Sequence, residues 1–284
     1  MSKTIVMAVA GSDSGGGAGI QADLKTFDAV GVHGTCVVTG ITAQSPANIS
    51  NMEPVSEKLI EEQFNILTKD LPPNAIKVGA LFSSGIVQKV TSLISEFIVK
   101  TDIPVVIDPV MVATSGKSLY LEQKKSVEVD EKSTEACLVS LFSLGDLITP
   151  NIPEAESLLG RKITSKNELK EATVCLFKKF NSPIFIKGGH LDPENGMITD
   201  YLYDGEKPQA FELPYQKIGS LHGTGCTLSS SIAAYLAKGE ELVTAIQKSK
   251  LLTNYSIRDS YKIGRFKALN VCHLRTNQID KSNL

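Results

Sequence analysis

Short apolar segments alternate along the chain with longer segments in which apolar residues recur every three or four positions. Residues 4–10 form a continuous apolar run, as expected for a strand that is buried on both faces. The short segments predict strands at 4–10, 36–42, 76–80, 103–109, 147–151 and 183–189. The segments with helical spacing predict helices at 20–30, 57–67, 86–98, 153–159 and 168–180.

The alternation of strands and helices predicts right-handed βαβ units and therefore a mostly parallel sheet. Segments 200–205 and 210–213 break the alternation and predict an antiparallel hairpin at a sheet edge. A glycine-rich turn and a helix of small and apolar residues follow, and a last helix is predicted at 242–255. The polar stretch 122–134 is interpreted as a surface excursion.

Composition narrows the possible classes of protein. The chain has 284 residues, 42% of them hydrophobic, which suits a single domain over 1–284 with a polar tail from about 277. Its net charge of −2 shows no excess of basic residues for binding nucleic acid. The sequence also contains no basic amphipathic helix of the kind that binds a membrane surface. The first apolar run is too short for a signal peptide or a membrane span, so export is not expected. Five cysteines without paired spacing favour reduced thiols in a cytoplasmic protein and no zinc site.

The glycine-rich turn at 222–226 precedes the helix of small residues. Glycines allow close backbone approach, and the free N–H groups of a helix's first turn favour an anion. Cys226 lies in this turn, where a helix N-terminus would lower the pKa of a thiol. The turn therefore suits a reaction in which charge develops on a phosphoryl group. A glycine-rich helix start with a buried cysteine is an equally good interpretation of this stretch alone.

Two nucleotide-binding motifs are only partly matched. Residues 17–22 fit a relaxed dinucleotide fingerprint, but segment 38–42 lacks the acid expected about 20 residues further on. Residues 116–118 (Gly-Lys-Ser) resemble the end of a P-loop, but Met111 stands where the leading glycine should be. Both interpretations are set aside.

Polar residues recur where the predicted strands end. They lie at 11–13, Gln44, Asp108, 151–154 and 187–190. In open parallel sheets, ligands bind outside the carboxyl ends of the strands. This recurrence therefore predicts one ligand site built from several strand ends.

The same segments carry a family resemblance. They are 11–25 (GSDSGGGAGIQADLK), 42–44 (TAQ), 108–113 (DPVMVA), 149–154 (TPNIPE), 187–190 (KGGH) and 222–226 (HGTGC). In this order they resemble the hydroxymethylpyrimidine/phosphomethylpyrimidine kinases of thiamine biosynthesis, in the ribokinase-like superfamily. The resemblance extends to about residue 275. The sequence departs from the family pattern at 264–273, and no site residue is assigned there.

The resemblance implies a three-layer α/β/α ribokinase-like fold with a mostly parallel central sheet and an antiparallel edge hairpin. It implies ATP-dependent phosphorylation of 4-amino-5-hydroxymethyl-2-methylpyrimidine and then of its monophosphate, with ATP as co-substrate and Mg²⁺ as the metal. The family is typically cytoplasmic and homodimeric, and its partners are the small pyrimidine and ATP. Pyridoxal kinase of the same superfamily is the nearest alternative. A non-catalytic ligand-binding homologue is disfavoured because all the site motifs are present.

The resemblance also assigns roles to residues. Cys226 resembles the catalytic base, and the amides of Gly223, Thr224 and Gly225 resemble the anion hole around the transferred phosphoryl group. Gln44 resembles the residue that hydrogen-bonds the pyrimidine, and its amide carries both a donor and an acceptor. The same pocket is expected to be lined by Gly11 and Asp23.

A second group of residues, which includes Thr224, is assigned to ATP and the metal. Lys187 resembles a contact to the ATP phosphates, and Asn151 with Glu154 resembles the magnesium and phosphate motif. Asp108 is a further candidate for the metal. Ordinary structural roles remain open for each: a lysine at a strand end, a glutamate in the first turn of a helix, and an aspartate that ends a strand.

Overall fold

The central sheet has the order β3-β2-β1-β4-β5-β6-β7-β8-β9 in the computed structural model, which describes residues 3–110, 131–217 and 221–272. The pairs from β2 through β7 are parallel, while β3, β8 and β9 pair antiparallel at the two edges. The strands span Ile5–Asp13 (β1), His33–Ser45 (β2), Asn48–Pro54 (β3), Ala75–Val78 (β4), Val105–Ile107 (β5), Leu147–Ile148 (β6), Ile184–Ile186 (β7), Met197–Tyr203 (β8) and Gln209–Pro214 (β9).

Helices cover both faces of this sheet. They span Gly19–Val30 (α1), Glu57–Asp70 (α2), Ser84–Thr101 (α3), Glu131–Phe142 (α4), Ile152–Leu159 (α5), Lys166–Phe180 (α6), Thr224–Ala237 (α7) and Leu242–Arg258 (α8). A short hairpin, Tyr261–Ile263 (β10) and Phe266–Ala268 (β11), follows. None of the helices in the described ranges is long and apolar enough to cross a membrane.

The period-two alternation of β1 divides the core into two layers. Met7 and Val9 point into a cluster shared with α2 to α6, and Val6 and Ala8 point into a cluster shared with α1, α7 and α8. Both clusters are fully buried, which is why β1 is apolar at successive positions. This arrangement confirms the three-layer α/β/α fold, the mostly parallel sheet and the hairpin at its edge.

Helix α7 packs closely against the sheet. Ser229, Ser230 and Ser231 are completely buried, and these small side chains let the helix approach β4 and β5 closely. Helix α1 packs beside α7 on the same face of the sheet. The start of α7 is thereby fixed against the carboxyl ends of the central strands.

Four elements were not predicted: strand β3, the two strands of the short hairpin and helix α4. Strand β3 is polar at most positions, and a register shift between Ala43 and Gln44 obscures its alternation. The short hairpin β10–β11 is a separate two-stranded sheet with no buried position, so it lacks the apolar run of a core strand. Helix α4 begins at Glu131, within the stretch interpreted as a surface excursion; the part of 122–134 before Glu131 lies outside the described residues, and that interpretation stays a prediction. The predicted tail from 277 also lies outside them.

Candidate active site

A cavity of about 860 Å³ opens at the carboxyl ends of the parallel strands. Its walls include polar residues in the last positions of β1 and β2 or just after β5, β6 and β7, namely Asp13, Gln44, Asp108, Asn151 and Lys187. The structure therefore brings together the strand ends that the sequence singled out. Residues of both β2 and β9 line the cavity, and these two strands are far apart in the strand order. The cavity therefore spans the sheet, with the start of α7 between its two ends.

The glycine-rich turn has the geometry of an anion site. Gly223 has φ +87°, and a Cβ there would overlap the carbonyl oxygen of Gly17, so only glycine fits. Helix α7 starts at the next residue, with the amide of Thr227 bonded to Gly223 O at 2.9 Å. Thr224, Gly225 and Cys226 line the cavity, and their amides precede the first intrahelical bond. Their contact with a phosphoryl group stays a prediction.

Cys226 stands at this turn, half-buried in the cavity wall. Burial raises the pKa of its thiol to about 11; Lys77 lowers it, Asp23 and Asp108 raise it, and a hydrogen bond from the Gly19 backbone lowers it. The expectation that the helix start lowers this pKa is therefore wrong for the ligand-free protein. Removal from water and two nearby carboxylates outweigh the helix dipole.

Lys187 and Asp108 form a buried ion pair at the centre of the cavity. Lys187 Nζ lies 2.8 Å from Asp108 Oδ1, and Ser229 Oγ donates to Asp108 Oδ2 at 3.2 Å. Burial alone would raise the pKa of Asp108, but Lys187 and Lys77 bring it below its usual range. Both carboxylate oxygens thus have partners within the protein. Asp108 is better placed to hold Lys187 than to bind a metal directly.

Gly225 has no side chain where Lys187 approaches the turn. A Cβ on Gly225 would lie 3.2 Å from Lys187 Nζ. The ammonium therefore lies beside the amides of the α7 start. Cation and amides can act on the same anion.

Glu154 and Asn151 form a capping box at the start of α5. Asn151 Oδ1 accepts from the Glu154 amide at 2.8 Å, and Glu154 Oε2 accepts from the Asn151 amide at 2.8 Å. Burial raises the pKa of Glu154 to about 7; Lys187 lowers it and Asp108 raises it. The alternative of a solvated first-turn glutamate is therefore wrong, because this carboxyl group is buried in the cavity wall.

The donors fit a magnesium ion held mainly by nucleotide phosphates. In the described ranges, no three His, Cys, Asp or Glu side chains gather closely enough to bind a metal. Magnesium in nucleotide sites takes one or two carboxylates and completes its shell with phosphate oxygens and water. The buried Glu154 carboxyl, whose charged form the ligand-free site disfavours, suits this role.

We expect Glu154→Gln to stabilise the nucleotide-free protein at pH 8. The pKa of Glu154 is raised from 4.5 to about 7, so the folded protein keeps a proton that the unfolded chain has lost. The stability due to this proton is complete below pH 4.5 and is lost as pH rises through 7. Glutamine keeps the cap and cannot ionise, so the variant should gain on the order of 2 kcal/mol over wild type at pH 8.

Urea unfolding at pH 5 and pH 8 measures this effect. Glu156→Gln on the same helix is the matched control, because Glu156 pairs with Lys162 at the surface and its pKa is lowered. If Glu154→Gln gains the same unfolding free energy over wild type at both pH values, the raised pKa of the buried Glu154 carboxyl is contradicted.

Gln44 lies in a network with His222 and Asp13. Its amide nitrogen is 2.8 Å from His222 Nε2, which is 3.1 Å from Asp13 Oδ2, and Thr42 Oγ1 lies 3.1 Å from Gln44 Oε1. A ring nitrogen that faces a carboxylate donates a proton, so it cannot also accept one from the amide. Exchange of the amide oxygen and nitrogen resolves this conflict, because His222 then donates to both partners. Gln44 keeps one amide hydrogen for a ligand in the cavity.

Asp13 is a site residue that sequence reasoning did not assign. Its carboxylate accepts from the amides of Gly15, Gly17 and Ala18 at 2.8–3.0 Å. It therefore shapes the glycine loop from within. The signal was its place at the end of β1, two residues before a run of glycines.

Gly11 lies in the cavity wall as predicted, but Asp23 does not. Asp23 is fully buried on α1, and both its oxygens bind Lys77 Nζ at 3.0 and 3.2 Å. The expectation that Asp23 lines the substrate pocket is therefore corrected: it lies behind the wall. Lys77, which was not predicted, lies in the wall instead, and its signal was a lysine inside the apolar run of β4.

Comparisons with known proteins agree with this geometry. A family model described as phosphomethylpyrimidine kinase matches residues 13–270. The hydroxymethylpyrimidine/phosphomethylpyrimidine kinase of Bacillus subtilis (strain 168) is 35% identical over 258 residues, which cover 91% of this chain and 90% of that protein.

A longer relative and a solved structure are also similar. The thiamine biosynthesis bifunctional protein ThiED of Geobacter sulfurreducens is 38% identical over 92% of this chain, which spans about half (50%) of that protein's length. An ADP complex of Bacillus subtilis pyridoxal kinase superposes with a TM-score of 0.83 and 32% identity, covering 96% of this chain and 99% of that one. The family match runs from the end of β1 to beyond α8, and we conclude that this chain belongs to the phosphomethylpyrimidine kinase family.

Proposed function

We propose that this protein transfers the γ-phosphoryl group of ATP to the hydroxymethyl group of 4-amino-5-hydroxymethyl-2-methylpyrimidine, and then phosphorylates the monophosphate. The observation that carries the proposal is the cavity in which Cys226, the α7 amides and Lys187 converge. A base, a set of amides and a cation are what phosphoryl transfer to an alcohol requires. The names of the relatives support the choice of substrate.

The residues divide the cavity between two ligands. Gln44, Gly11 and Asp13 lie towards β1 and β2, where the pyrimidine is proposed to bind. Pro214 and Asn254, on β9 and α8, lie at the other end and leave room for the nucleotide base. The start of α7 lies between the two groups, where the γ-phosphoryl group would sit.

The transfer itself uses the charges at the centre. Lys187 and the amides of residues 223–226 hold the phosphoryl oxygens as negative charge develops on them. Glu154, with Asn151 behind it, would hold the metal directly or through water. When bound, Mg²⁺ neutralises charge on the ATP phosphates.

The alcohol must lose a proton during the first transfer. Its O–H proton passes to the Cys226 thiolate while oxygen bonds to phosphorus and the bond from phosphorus to the ADP oxygen breaks. The resulting thiol then releases the proton to water. The high pKa of Cys226 means that the free enzyme holds little thiolate at neutral pH, so proton acceptance is strongly dependent on pH.

A time course of products tests the two-step proposal. The alcohol and an excess of MgATP are incubated with the enzyme, and products are followed by mass spectrometry. We expect the monophosphate to appear first and the diphosphate to follow as the monophosphate declines. Accumulation of the monophosphate alone would overturn the second step.

Gln44→Ala should weaken pyrimidine binding by roughly 1–3 kcal/mol. The free amide hydrogen and the amide oxygen of Gln44 match a ring that carries an amino group beside a ring nitrogen. Calorimetry with the alcohol measures the loss. Gln209→Ala on β9, outside the cavity wall, is the matched control. Equal affinities of Gln44→Ala and wild type would refute the assigned role.

The expectations of a homodimer and of a cytoplasmic location belong to this proposal. The family resemblance supports both. For the homodimer, light scattering should give about twice the chain mass of 30.5 kDa. A single-chain mass at micromolar concentration would contradict it.

A further inference from the structure

A buried ion pair, with Lys77 in the cavity wall and Asp23 behind it, has no role in the steps above. Lys77 on β4 and Asp23 on α1 are both completely buried, and Lys77 Nζ lies 3.0 and 3.2 Å from the two Asp23 oxygens. Ser230 on α7 donates to Asp23 Oδ1 at 2.6 Å. The cluster of Lys77, Asp23 and Ser230 therefore joins three elements of the fold through one carboxylate.

Stability does not account for such a pair. The desolvation of two charges commonly equals or exceeds their attraction, and an apolar replacement of both is often neutral or stabilising. Two completely buried charges at the working end of the sheet therefore suggest a role in the chemistry.

The cluster lies next to Cys226. Ser230 is four residues after Cys226 on α7, so the two share one face of the helix. A Cβ on Gly79, two residues beyond Lys77, would lie 2.9 Å from Lys77 Nζ. The ammonium thus reaches towards the carboxyl end of β4, where the cavity lies, and both Lys77 and Cys226 are part of its wall.

Four charged groups act on the Cys226 thiol. Lys187 and Asp108 form one pair, and Lys77 and Asp23 form the other. In the proposed reaction Lys187 is directed at the phosphoryl oxygens. Lys77 is then the cation that remains for the sulfur.

We propose that the cluster of Lys77, Asp23 and Ser230 positions charge for Cys226: the Lys77 ammonium stabilises the sulfur after it loses its proton, and Asp23 holds that ammonium in place. This inference rests on the proposed function for its catalytic meaning, but it concerns a property of the free enzyme. Lys77 and Asp23 are positioning residues, since neither touches the proposed substrates.

The two charges have opposite effects on the thiol. Lys77 lowers the pKa of Cys226, and Asp23 raises it. Lys77→Met should therefore make Cys226 less reactive as a thiolate, and Asp23→Asn should make it more reactive. General damage to the fold would move both variants in the same direction.

The test is the alkylation of Cys226 by iodoacetamide without ligands, measured peptide by peptide between pH 6 and 10. Below the pKa the rate follows the thiolate fraction. At pH 8 we expect Cys226 to be alkylated about tenfold more slowly in Lys77→Met and faster in Asp23→Asn. In each variant the alkylation profile should shift by about one pH unit. Cys175, exposed on α6, is the internal reference in each sample.

A neutral double variant keeps the test decisive if a single variant folds poorly. Lys77→Met with Asp23→Leu removes both charges together, and its Cys226 should react at a rate between those of the two single variants. Equal alkylation rates in wild type, both single variants and the double variant would overturn the inference. So would shifts of both single variants in the same direction.

The kinase assay separates this inference from the proposed function. Opposite shifts in a protein that does not phosphorylate the pyrimidine would leave the inference standing and refute the function. Pyrimidine phosphorylation in a protein without the opposite shifts would support the function and refute the inference. If both results are obtained, the acidic limb of kcat should shift in each variant in the same direction as its alkylation profile.

Discussion

Cys226→Ala should lower kcat for the pyrimidine alcohol by about 10²–10⁴-fold while ATP and the alcohol still bind. The alcohol is a poor nucleophile at neutral pH, and the variant removes the group that takes its proton. The amides of the α7 start remain, because they belong to the backbone. Steady-state kinetics with calorimetric binding measures both parts, and Cys175→Ala on the outside of α6 is the control.

The second acceptor provides a control within the same enzyme. The pyrimidine monophosphate attacks through a phosphate oxygen that is already ionised, so its phosphorylation needs no base. Cys226→Ala should therefore impair the first phosphorylation much more than the second. Equal losses for both acceptors would point to a role in packing, and a wild-type rate with the alcohol would remove Cys226 from the chemistry.

The pH profile checks the same role independently. Because the pKa of Cys226 is raised to about 11 in the free enzyme, the proton-accepting form increases as pH rises. We expect kcat/KM for the alcohol to rise throughout the range from pH 7 to 9. Cys226→Asp should retain more activity than Cys226→Ala and shift this limb to lower pH, since a carboxylate loses its proton more readily. A plateau of the wild-type profile below pH 8 would contradict a thiol base.

Lys187→Met should have the second large effect, on both catalysis and stability. The variant removes the cation beside the α7 amides, which should lower kcat by about 10²–10³-fold. It also leaves Asp108 buried without its ionic partner, which should cost about 3–5 kcal/mol of unfolding free energy. Assays of ADP release and urea unfolding measure the two effects.

A double variant separates the two effects. Adding Asp108→Asn removes the stranded charge, so stability should largely return while kcat stays low. Lys166→Met, which breaks the surface ion pairs of Lys166 with Glu194 and Glu212, should change neither quantity appreciably. Recovery of kcat together with stability would show that Lys187 serves only the fold.

Much of the fold follows from local pattern. The apolar run of β1 and the helical spacing of α1 are strong because both are deeply buried in this sheet. Strand β3 escaped prediction because an edge strand buries few residues, here Ile49 and Met52, and its remaining positions are polar. No local rule distinguishes such a strand from a loop.

The sequence predicted the positions of the site residues better than the pairing and the pKa shifts of their charged groups. The places of Gln44, Asp108 and Lys187 follow from where the strands end. The partners of a charge depend on what the fold brings beside it from other elements. Asp23 pairs with Lys77, which is 54 residues away along the chain, and the thiol of Cys226 is governed by its burial rather than by its helix.

The proposed activity is tested most directly by ADP release with hydroxymethylpyrimidine, its monophosphate and pyridoxal in parallel, at one enzyme concentration. We predict release with both pyrimidines, and a kcat/KM for the pyrimidine alcohol at least about tenfold above that for pyridoxal, because a ring that cannot match Gln44 leaves buried polar groups unpaired. A kcat/KM for pyridoxal equal to or above that for the pyrimidine, or no release with the pyrimidine alcohol, would contradict the account.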